Sequence, residues 1–93
     1  MKQLTVNHAG EEWYVTMTVD GHGVCDTTIY RKRKTKKWWQ SYYAFFADFV
    51  TCPESMEEQM ENIRTIIDKK LLEEKTRNNF LAEYSKLEDV AYI

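Results

Sequence analysis

Trp38-Trp39-Gln40-Ser41-Tyr42-Tyr43-Ala44-Phe45-Phe46-Ala47-Asp48-Phe49-Val50 decides how this chain folds, because it places seven aromatic residues in thirteen positions. Wound at about 100° per residue, Trp38, Trp39, Tyr42, Tyr43, Phe45, Phe46, Phe49 and Val50 fall within an arc of roughly 160°. In a strand the same rings divide almost evenly between two faces. The spacing therefore predicts a helix over about 38–50. It would end near Thr51-Cys52-Pro53, since proline disfavours helical geometry in the residue before it.

Upstream of this stretch the pattern is β. Leu4 and Val6 alternate with polar neighbours and predict a strand over about 2–7, followed by turn chemistry in Asn7-His8-Ala9-Gly10-Glu11. Trp13, Val15, Met17 and Val19 alternate with Tyr14, Thr16 and Thr18, a half-buried strand over about 13–19. Asp20-Gly21-His22-Gly23 is a turn signal, and a third strand rich in Thr, Ile and Tyr follows over about 24–33. Short turns between successive strands favour an antiparallel meander.

Downstream, Ser55-Met56-Glu57-Glu58 has the spacing of a capping box and opens a helix over about 55–73. Its apolar stripe is Met56, Met60, Ile63, Ile67 and Leu71. Glu73 to Asn79 contains no apolar residue, and beyond it Phe80, Leu81, Tyr84 and Leu87 form a second stripe, rotated by roughly 90° if the helix runs straight on. A break within this segment, with Thr76 or Asn78 as a new cap, predicts a further helix over about 78–88; a continuous helix would show two faces to two surfaces. Asp89-Val90-Ala91-Tyr92-Ile93 is an apolar tail suited to an edge strand or to docking on the core.

The expected architecture is a single α+β domain over 1–93: a three-stranded antiparallel meander covered on one face by helices. The face carrying Trp13, Val15, Met17 and Val19, joined by Leu4 and Val6, should pack against Phe45, Phe46 and Phe49, with Met60, Ile63 and Ile67 closing the layer.

Charge is segregated along the chain. Residues 1–30 carry a net −3, residues 31–53 a net +5 and residues 54–93 a net −4, for an overall −2. The excess lies in Arg31-Lys32-Arg33-Lys34-Thr35-Lys36-Lys37, directly before the aromatic stretch. An overall acidic balance argues against the commonest kind of nucleic-acid-binding domain, which is basic throughout. At 43% hydrophobic and 30% charged, the chain is too apolar for a disordered segment. The first residues, Met1-Lys2-Gln3-Leu4-Thr5-Val6, lack an apolar core, so no leader is expected, and no apolar run approaches the ~18 residues of a membrane span. Two cysteines so far apart, Cys25 and Cys52, are expected as free thiols in a reducing cytosol.

Four chemistries compete for these residues. His8, His22, Cys25 and Cys52 match zinc in number, but only His22 and Cys25 have chelate spacing, so no metal or other cofactor is expected. A Cys25–His22 pair lacks an orienting carboxylate, so no enzymatic activity is expected. The cations precede the aromatic segment instead of flanking it, which disfavours a membrane-surface helix. Arg31, Lys32, Arg33, Lys34, Lys36 and Lys37, with Trp38, Trp39 and Tyr43, remain as a partner-binding set. The first expectation is a small regulatory or inhibitory protein that contacts a protein partner. The alternative is nucleic acid, with the basic run on phosphates and Trp38, Trp39 and Tyr43 stacking on bases.

Overall fold

The aromatic segment is a strand, and that changes the architecture from three strands to four. In the computed structural model, which describes residues 1–87, β1 (Lys2–His8), β2 (Glu11–Val19), β3 (Cys25–Lys32) and β4 (Tyr43–Thr51) precede a single helix, α1 (Met56–Ser85). The sheet is an antiparallel meander in the order β1-β2-β3-β4. The α+β class, the meander and the helix on one face are as the sequence implies. The apolar tail beyond Leu87 lies outside the described residues.

Each connection follows from local chemistry. Ala9 and Gly10, both at positive φ (53° and 73°), link the paired His8 and Glu11 in a two-residue hairpin turn whose twist suits the flanking strands. Asp20 organises the second turn: its Oδ1 accepts from the backbone N–H groups of His22 (2.8 Å) and Val24 (3.0 Å). Ser55 caps α1 by accepting from Glu58 N–H at 3.1 Å. The Glu58 carboxylate in turn accepts from Glu54 N–H at 2.7 Å, one residue further back than a standard capping box.

The expected helix over 38–50 fails because β4 has a partner that the wheel does not weigh, the free edge of β3. Aromatic and β-branched side chains suit a pleated surface. A bulge resolves the apparent conflict between faces. Ile29 pairs with Ala47 but Tyr30 pairs with Phe45, so Phe46 is the extra residue. Phe46 and Ala47 can therefore both serve the covered face, and Phe46 packs edge-on to Trp13 with ring centroids 4.7 Å apart. Phe49 joins that side, whereas Phe45 turns away and is exposed.

Val6, Trp13, Val15, Met17, Cys25 and Ile29 from the sheet meet Ile63 and Ile67 from α1 in the core. Full burial of one such side chain contributes about 1.5–3 kcal/mol. Val19 and Met56, expected inside, are exposed at the end where α1 begins. The expected break in the helix is also absent: α1 runs 30 residues without interruption, through Thr76 and Asn78. Neither residue forces a helix to end, as proline does. From Lys75 onward the described helix lies beyond the sheet with every residue exposed.

Candidate functional site

The strand assignment moves the basic run and the tryptophans together onto one loop, residues 33–42, at the end of the sheet that also carries the β1–β2 turn. Arg33 ties the limbs of this loop: its backbone N–H donates to Tyr42 O (2.6 Å) and its Nε to Ser41 O (3.0 Å). The tip is a tight turn in which Gln40 N–H donates to Lys37 O (3.0 Å) and Lys37 N–H donates back to the Gln40 side chain (3.0 Å). Trp38 and Trp39 take the two corner positions, where side chains point to solvent, and are 88% and 62% exposed. Their rings meet edge to face at 5.8 Å.

The structure divides the six cations of the run into two groups. Arg31 lies on the covered side, 5.5 Å from the Trp13 ring centroid and 5.9 Å from that of Phe46. It donates from Nε to Glu11 at 2.8 Å and from Nη2 at 2.7 Å, and pairs with Glu74 at 3.2 Å. The hydrogen bond from Arg31 holds the Glu11 carboxyl below its usual range against the opposing effect of burial, and the same bond raises Arg31. Lys32 pairs with Glu12 at 3.1 Å, a bond that raises the lysine. Both cations thus have carboxylate partners within the fold.

Arg33, Lys34, Lys36 and Lys37 form no ion pair among the described residues. Lys36 Nζ lies 4.8 Å from the Tyr42 ring centroid and Lys37 Nζ 5.0 Å from that of Trp39. Beside them is a shallow depression of about 300 Å³ lined by Arg31, Lys32, Arg33, Lys34 and Ala44. Tyr43, the last of the sequence-derived set, opens β4, with its ring 5.3 Å from that of Tyr14.

Tyr14 belongs to a group that the sequence reading did not single out. The face of the sheet opposite α1 is covered by no element of the described residues. On it Tyr14 pairs with Tyr30, and Tyr30 with Phe45, in one row across three strands. Tyr14 and Tyr30 lie 5.8 Å apart. The available signal was parity: Tyr14 shares its side of β2 with Thr16 and Thr18, so its ring falls on the polar face.

Elsewhere, Cys25 and Cys52 are free thiols. Cys25 is buried with its sulfur 3.4 Å from Thr27 Oγ1 and 3.5 Å from Gln59 Nε2, directed at the core network and not at His22. Among the described residues no three of His, Cys, Asp and Glu converge as metal ligands. Nor is any described helix long and apolar enough to cross a membrane. No protein-family model, curated protein or solved structure matches the chain, so its function has to be read from this arrangement of residues.

Proposed function

We propose that the protein is a non-enzymatic nucleic-acid-binding domain that uses the β3–β4 loop, with Arg33, Lys34, Lys36 and Lys37 on phosphates and Trp38 and Trp39 against bases. One observation carries this reading: four cations without ion pairs among the described residues share a loop with two tryptophans exposed at its turn. Phosphate neutralisation supplies affinity, and rings beside the cations supply contacts tolerant of sequence. A protein partner, the first expectation from sequence, would meet the same loop; cations beside exposed rings favour nucleic acid because one strand offers phosphates and base faces together.

Four displaced counterions give a slope of log affinity against log salt of roughly −3. A fluorescein-labelled 12-nucleotide strand should therefore bind at 50 mM salt and weaken on the order of 50-fold by 200 mM. Combined Lys34→Glu, Lys36→Glu and Lys37→Glu substitution should abolish the anisotropy change and leave the circular dichroism spectrum unaltered. Absence of binding at 50 mM salt to single-stranded and duplex oligonucleotides alike would refute the proposal.

A further inference from the structure

We infer that the open face of the sheet is a stacking platform that makes this domain selective for single-stranded over duplex nucleic acid. The inference rests on the nucleic-acid reading above and adds to it the residues that receive the bases. Tyr14, Tyr30 and Phe45 stand in register across β2, β3 and β4, and Tyr43 joins them diagonally, its ring 5.3 Å from Tyr14. Phe45, the third residue of the edge strand β4, is 63% exposed on the open face. Nothing about the core requires it there, since Phe46 and Phe49 already serve the covered side.

The band lies at the end of the sheet from which the basic loop leaves, because Tyr43 pairs with Lys32, the last residue of β3. A strand whose phosphates meet Lys34, Lys36 and Lys37 can thus lay its bases on Tyr43, Phe45, Tyr30 and Tyr14. Charge on the open face supports the same placement. Asp48, opposite Thr28, is the next open-face position along β4 from Phe45 but on the side away from the loop, Asp26 lies toward the far end, and Glu12 is paired with Lys32. An unpaired strand offers base faces to such rings, whereas a duplex hides them in its own stack. Nor does the sheet fit a duplex groove. Four strands spaced about 4.8 Å apart span roughly 14 Å between outer backbones, wider than a major groove of about 12 Å.

The test compares oligothymidylate of 12 nucleotides with a 12-base-pair duplex, using the whole chain at 50 mM salt. Wild type should bind the single strand at least tenfold more tightly than the duplex. Phe45→Ser should weaken single-strand binding by roughly fivefold or more and leave duplex binding unchanged. Val50→Ser, at an exposed position toward the far end of β4, should change neither. Unfolding midpoints establish that each variant is folded, and the wild-type preference is a readout that needs no variant. Equal affinity for the two forms, or an inert Phe45→Ser, overturns the platform and leaves the loop reading standing. A protein that ignores both oligonucleotides but binds a polyglutamate peptide overturns both, in favour of an acidic protein segment.

Discussion

Gln59 is the residue on which the two layers of the fold most depend for polar order. It is fully buried on α1, where its amide nitrogen donates to Thr27 Oγ1 at 2.7 Å and its carbonyl oxygen accepts from Thr51 Oγ1 at 3.0 Å. Both hydroxyls belong to the sheet, so one side chain fixes the register of helix against strands. Gln59→Met keeps the volume but removes these partners, and should cost about 1–3 kcal/mol in urea unfolding. Gln59→Ala adds a cavity and should cost more. A Met variant as stable as wild type would show that the network is dispensable. Arg31 and Glu11 play the corresponding part at the loop end, with a dependence on pH. Because the folded-state pKa of Glu11 is lowered, its contribution is present above the unfolded value of about 4.3 and disappears as pH falls through the folded value. Glu11→Gln should therefore be less stable than wild type by about 1 kcal/mol at pH 7, and the two unfolding midpoints should converge as pH falls through the folded-state value. Parallel midpoint curves from pH 7 to pH 3 would remove Glu11 from the pH dependence.

Among the elements, β1, β2 and β3 were legible because their alternation is clean and their turns contain the expected residues. β4 was not, and the bulge is the reason. Tyr43 and Phe45 face one way, Phe46 and Ala47 both serve the other, and Phe49 follows the new phase, so no single period of two runs through 43–51. A wheel gathers the same residues into one arc because a wide arc accepts broken alternation. The helix fared differently. Its capped start and its Ile63 and Ile67 positions are as the spacing implies, but the buried face also takes in Gln59, which a search for apolar residues passes over. The candidate site was legible as a charge run beside aromatic residues. Two things were hidden: that Arg31 and Lys32 pair with Glu11 and Glu12, and that Tyr14, Tyr30 and Phe45 stand in one row on the open face.

At the scale of the whole molecule, a 30-residue helix of about 45 Å is laid on strands of seven to nine residues, which reach only about 24–30 Å. α1 begins at the end away from the basic loop and passes His8, which its Asp68 meets at 2.7 Å. Its last described ion pair with the sheet is Glu74 to Arg31. Past that point Phe80, Leu81 and Tyr84 are each exposed by more than half. Isolated helices shorter than about 12–15 residues are marginal in water, so the overhang draws little stability from its own backbone. Amide exchange should therefore be slowest around Ile63–Ile67 and in β2 and β3, with a steep loss of protection between Glu74 and Asn78. Paired Phe80→Ser and Tyr84→Ser substitution should keep the core intact and leave the unfolding midpoint within a few degrees of wild type. Protection at Phe80 to Tyr84 equal to that at Ile63 would contradict this picture. It would mean that a body other than the sheet covers the second apolar stripe in solution.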